Sequence, residues 1–259
     1  MTTITVMNLI VVLALLVGAI SAIRGVWSPC GLSMLSSITP MTEAGRGHRF
    51  SYTASWFMVG GVVGGLSIGA LAGIIAAAID ASGLSETTLL GVGAGVAVIT
   101  AMIDLGVGGV SLPIFKRQVN DAWLRRYRPW VYGAGFGWQI GFGLATYIMT
   151  AGVILTVALA ALSASPVAAV AIGGFFGLVR GSAVWIGRSG KTPQALGQIH
   201  DRLDSLAPVS RAGAAAIQVF AAVALGAACT GLMGAGVVAL VLALCYGLQS
   251  ALHRSPASI

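Results

Sequence analysis

Six long apolar runs dominate the chain, at 7–40, 52–79, 88–113, 130–162, 167–187 and 212–250. A helix crosses a bilayer with about 20 mainly apolar residues. The last run is too long for one helix, because at 1.5 Å per residue it would far exceed a hydrocarbon core of about 30 Å. Gly231, Gly234 and Gly236 lie at its centre and predict a tight hairpin, 212–229 and 232–250. The pattern therefore predicts an all-α polytopic membrane protein with seven spans, six being the alternative. Two connectors carry apolar residues at helical spacing: Leu196, Ile199, Leu203 and Leu206 in one, Val119, Trp123 and Tyr127 in the other. These are either short amphipathic helices on the inner membrane surface or solvated connectors with a few anchoring side chains.

Charge then orients the spans. Twelve of the fourteen Lys and Arg fall in 41–51, 114–129, 188–211 and the tail, and the loops at 80–87 and 163–166 have none. Basic loops stay on the cytoplasmic side. The expected location is a bacterial inner membrane, multi-pass, with the N-terminus outside and the basic loops in the cytoplasm. Trp56, Trp123, Trp130 and Trp185 all fall at the basic ends, as an interfacial belt does. No Lys or Arg precedes the apolar stretch that starts at Ile4, so a retained first helix is expected rather than a cleaved signal peptide.

Composition narrows the class further. Apolar residues make up 57% of the 259 and charged residues 8%, against about 25% charged in a soluble domain. Mean hydropathy is +0.95. A soluble enzyme, a nucleic-acid-binding protein and a disordered chain are excluded. The net charge of +7 belongs to topology, not to nucleic acid. The lipid bilayer is the first partner. The 37 glycines lie largely within apolar runs. Gly61, Gly65, Gly69 and Gly73 make one stripe, and Gly173, Gly177 and Gly181 another. Such stripes let helix backbones approach closely. Ordinary packing is the plain reading, and a homo- or hetero-oligomer face is the other.

The first and fourth runs are longer than one span and both contain helix breakers. Trp27-Ser28-Pro29-Cys30-Gly31 interrupts the first, and Thr39-Pro40 closes it; Trp138-Gln139-Ile140-Gly141 takes the same place in the fourth. One run enters from outside and the other from inside. This predicts two inverted three-helix repeats, 1–113 and 130–229, with an extra span and cytoplasmic tail at 232–259, all in one membrane domain. Paired interrupted helices point to a site near the bilayer midplane. Backbone freed by a break must face protein or a water-filled cavity.

The candidate site follows. Pro29, Ser33, Ser36, Thr39 and Pro40 surround Cys30 at the first break; Gln139, Gly141 and Tyr147, with Thr146, line the fourth run. Cys30 is either a small filler, a thiol that exchanges with a partner, or a soft ligand for a thiophilic metal. Arg24, Asp104 and Arg180 are charges at membrane depth, which pair or line an aqueous path. Asp104 with Arg180 is the expected ion pair, with Arg24 left as an anion contact. Cys229 and Cys245 read as packing. His48, His200 and His253 fall in inner loops or the tail, and no cofactor or metal site is predicted.

Around Ser28-Pro29-Cys30, and more weakly around Trp138, the chain resembles the transmembrane domain of the CcdA and DsbD family of cytochrome c biogenesis and thiol–disulfide interchange. That resemblance implies a carrier of reducing equivalents across the membrane, with Cys30 as the reacting thiol and a thioredoxin-like partner. Gly141 stands where that family has its second cysteine, and Ile140 where it has a proline. A disulfide needs two sulfurs, so the resemblance implies a single-cysteine variant. Two other readings stay open: a secondary transporter or exporter of a metal ion or small anion, and a non-catalytic membrane subunit. Whether any of these is an enzyme is left open.

Overall fold

Eleven α-helices account for most of residues 3–107 and 122–254, the part of the chain described by the computed structural model. They are α1 (Thr3–Arg24), α2 (Pro29–Ser37), α3 (Pro40–Gly45), α4 (Phe50–Ser82), α5 (Glu86–Asp104), α6 (Trp123–Arg126), α7 (Pro129–Phe142), α8 (Gly152–Leu162), α9 (Pro166–Ser182), α10 (Pro193–Thr230) and α11 (Leu232–Arg254). Among the described residues, five helices are long and apolar enough to cross a membrane: Val6–Trp27, Phe50–Ser82, Glu86–Asp104, Pro166–Ser189 and Pro193–Thr230. Gly152–Leu162 and Leu232–Cys245 are shorter apolar helices. The protein is an all-α membrane protein, and its exposed apolar side chains, such as Ile74, Ile99 and Leu240, are the lipid-contacting surface.

The first run is interrupted. After α1, residues Gly25–Trp27 tighten into a 3₁₀ turn, and α2 starts afresh at Pro29. Ser28 makes the restart possible: its hydroxyl accepts from Gly31 N at 3.0 Å and donates to Gly25 O at 2.7 Å. One side chain thus satisfies a donor of the new helix and an acceptor of the old one. Ser28 is fully buried, so no water can replace it. Ser28→Ala is expected to cost about 1–2 kcal/mol, read as a lower thermal unfolding midpoint in detergent; an unchanged midpoint would show that the restart does not need the cap. Thr39 repeats the device at α3 through a capping box with Thr42, with Pro40 in its first turn.

The fourth run is also interrupted, but not at the expected place. Trp138, Gln139, Ile140 and Gly141 continue α7, which stops at Gly143 in the left-handed region (φ 77°). Irregular chain then leads to Ala151, and α8 follows. Trp138 therefore does not stand at a break, as Trp27 does. Trp27 Nε1 donates to Leu203 O at 2.7 Å on α10, whereas Trp138 Nε1 reaches Ser67 on α4 at 3.2 Å.

The connector at 196–206 and the span after it are one continuous helix, α10, with Pro208 inside. A proline withholds one hydrogen bond, and in the turns beside it Leu203 O and Ala207 O accept from Trp27 and Arg24. Ile199 and Leu203 are buried with Val26, Leu35, Phe57 and Phe136. Of the other connector, Val119, Lys116 and Arg117 lie outside the described residues. Gly231, with φ 72°, turns the chain from α10 into α11.

Helix α4 is the hub. The predicted stripes meet each other: a Cβ on Gly65 would lie 2.7 Å from Gly177 Cα, and one on Gly61 would lie 2.9 Å from Gly181 Cα. A third stripe, Gly133, Gly137 and Gly141 on α7, closes on the other side of α4, where a Cβ on Gly141 would lie 2.7 Å from Gly61 Cα. These glycines are spent on packing within the chain, where contact of backbones recovers dispersion energy. At the basic end a buried carboxylate joins three elements. Glu43 accepts from Thr53 Oγ1 at 2.5 Å, Tyr132 Oη at 2.7 Å and Arg46 Nη1 at 2.8 Å.

Candidate functional site

Asp104 ends α5 and reaches across to the break in the fourth run. Its carboxylate accepts from Ala151 N at 2.8 Å and from the Thr150 hydroxyl. Thr150 Oγ1 in turn accepts from Gly152 N at 3.1 Å. The start of α8 is therefore held by Thr150 from its own run and, at Ala151 N, by a carboxylate from another helix. An anionic group suits that position, because the N-terminus of a helix carries partial positive charge. Gln218, fully buried on α10, completes the group: its Nε2 donates to Asp104 at 2.6 Å and to Ala214 O at 2.9 Å. Two helices, α5 and α10, and the irregular chain before α8 thus converge on one carboxylate.

Beside this knot lies open space. A cavity of about 440 Å³ is lined by Arg24, Asp104, Tyr147, Met149, Arg211 and apolar neighbours. A second of about 520 Å³ shares Arg24, Asp104, Leu105 and Arg211 and continues to Asp204 and Pro208. The irregular residues 147–149 line the first of these, which is where unpaired backbone is tolerated in a membrane. Arg24 is 5% exposed and sits at the last turn of α1. Its Nη1 donates to Ser210 Oγ at 2.7 Å and Ala207 O at 3.4 Å, and its guanidinium lies 5.8 Å from the Trp27 ring centre. Arg211 is exposed at the shared wall of the two cavities.

The expected ion pair between Asp104 and Arg180 is not formed. Arg180, 3% exposed on α9, lies over the Phe176 ring at 5.8 Å and fills the space beside Gly25 at the first break. There it is within electrostatic range of Cys30. The two charges face different neighbours around their helices.

Among the predicted residues, Arg24, Asp104 and Tyr147 come together at the cavities. Cys30 is 2% exposed in the first turn of α2, after Pro29. Ser36 meets His200 Nε2 at 3.2 Å, and Ser33 is half-buried on the same helix. Thr39 and Pro40 start α3. Gln139 is half-buried in α7, and Gly141 is pressed against α4. Thr146 is buried, and its hydroxyl has no hydrogen-bond partner among the described residues. Sequence reasoning missed Thr150, Gln218 and Arg211. A lone glutamine in the run 212–229 was the available signal for Gln218.

The chain is similar to curated proteins named methylamine utilization protein MauF. It is 30% identical to that of Methylorubrum extorquens over 161 residues, covering 61% of this chain and 56% of the relative. It is 31% identical to those of Paracoccus versutus over 158 residues and Paracoccus denitrificans over 167, covering 60% of this chain and 57% and 56% of the relatives. The chain thus spans a little over half the length of the curated relatives it matches. No protein-family model matches, and no solved structure matches at a significant level. These matches correct the expected family: the relatives are MauF proteins, not CcdA or DsbD. They overturn the thiol-carrier reading with it, and geometry explains why the second motif failed. Position 141 touches the α4 backbone and has no room for a cysteine side chain.

Proposed function

We propose that this chain serves methylamine utilization as a membrane-embedded component that works through the Asp104 cavities. The observation that carries the site is Asp104 itself, a carboxylate that holds the broken fourth run and α10 at the wall of a polar cavity. Intramembrane ionisable residues are costly and are retained where a site or path needs them. The similarity to MauF proteins of three organisms supports the pathway.

The protein contributes to methylamine use by a route other than holding the amine. Methylammonium is a cation, and the carboxylate it would need already accepts from Thr150, Ala151 and Gln218. Arg24 and Arg211 flank the same space and repel a cation. The two interrupted runs support 1–113 and 130–229 as inverted halves, with 232–259 added. The distribution of Lys and Arg supports an inner-membrane placement with the basic end, and the cavities near it, toward the cytoplasm.

Deletion of the gene in its own host tests this. Growth on methylamine as sole nitrogen source is expected to slow while growth on ammonium is unchanged. Wild-type protein restores growth on methylamine, and Asp104→Ala does not. Equal growth of deleted and parental strains on methylamine overturns the proposal.

A further inference from the structure

We infer that the cavities beside Asp104 bind a small soluble organic carboxylate, held by Arg24 and Arg211. The inference rests on the reading of this chamber as the functional site, but not on the pathway the protein serves.

Among the described residues, the charge around the first cavity does not balance. Arg24 and Arg211 stand against Asp104, and Asp104 has its oxygens occupied by donors from the chain before α8 and from α10. No salt bridge engages either arginine among the described residues. Arg24 uses only Nη1 in hydrogen bonds, to Ser210 and Ala207. Its other guanidinium nitrogens have no hydrogen-bond partner among the described residues, yet the side chain lines both cavities. A guanidinium with donors to spare at a cavity wall matches a planar oxyanion in two-point geometry. Asp204 lies at the second cavity only and is exposed on α10, about 10 Å along the helix from Arg211. It leaves the first cavity with an excess of positive charge.

The rest of the wall selects the kind of anion. Ile103, Leu105, Ile148, Met149 and Ala214 face the first cavity. Apolar walls favour a ligand with a hydrocarbon body over a fully hydrated phosphate. Tyr147 offers one further hydroxyl. A space of about 440 Å³ suits a short-chain acid, and its exposed edge at Arg211 opens on the polar part of α10.

Calorimetric titration of the purified full chain in detergent provides the test, with butyrate as probe. Butyramide, inorganic phosphate, methylammonium and oleate serve as comparisons. Saturable butyrate binding that weakens with salt is expected, and butyramide is expected not to bind. Arg211→Gln should weaken butyrate by about tenfold or more, as loss of a charge-assisted bond does. Arg188→Gln, remote from both cavities, should leave binding unchanged. Arg24→Gln is expected to abolish it, and because Arg24 is buried, the exposed Arg211 variant carries the test if that protein fails to fold. Absence of saturable butyrate binding at millimolar concentration overturns the inference. So does stronger binding of phosphate or methylammonium, binding of oleate without butyrate, or full retention of butyrate affinity in Arg211→Gln. Binding without any growth phenotype would overturn the pathway alone.

Discussion

Asp104→Ala is expected to lower stability by about 2–3 kcal/mol and to loosen the start of α8. The substitution removes one carboxylate but strands three donors: Ala151 N, the Thr150 hydroxyl and the Gln218 amide. A buried polar group left unpaired costs about 1–3 kcal/mol. The cost is not the full sum, because the site borders a cavity and water can reach some of the stranded groups. Asp104→Asn keeps one acceptor oxygen and adds a donor where donors already converge, so about half the loss is expected. Chemical unfolding in detergent measures both, and amide exchange at Ala151 and Gly152 should rise in the alanine variant. A stability change under about 0.5 kcal/mol would mean that the carboxylate does not anchor the broken run.

Gly141→Ala should be the more damaging of two apparently similar substitutions. A Cβ at 141 runs into the backbone of Gly61, which has no side chain to turn aside. Overpacking costs about 1–3 kcal/mol where side chains can adjust, so a backbone collision places this variant at or above the top of that range. Gly95→Ala on α5 is the contrasting case. A Cβ there meets nothing within 4 Å, and replacing glycine within a helix gains up to about 1 kcal/mol. Opposite signs in the unfolding midpoint are expected for the two variants. Equal and small effects would mean that α4 and α7 can separate without penalty.

The apolar runs made most of the fold legible, because a membrane span states its length and composition openly. Ser28-Pro29 was legible as a break for the same local reason: a cap followed by a proline starts a helix wherever it occurs. The fourth break was displaced because glycine was read by analogy at Trp138–Gly141. Gly141 is a packing residue and Gly143 the one that stops the helix. The spacing of Gly133, Gly137 and Gly141 carried that information. The partner of Asp104 was not legible. Sequence gives the depth of a charge, but the direction it faces depends on packing between helices far apart in the chain. Gln218 lies 114 positions from Asp104 in the chain.

The contact of α4 with α7 and α9 through glycine backbones has a mechanical consequence. Layers of flexible side chains act as lubricant between helices, and here that lubricant is missing, so the three helices must travel as one plate. None of the residues lining the two polar cavities comes from α4, α7 or α9. Breathing of the chamber is therefore left to α1, α5, the bent stretch before α8, and α10, with Pro208 as the nearest pivot.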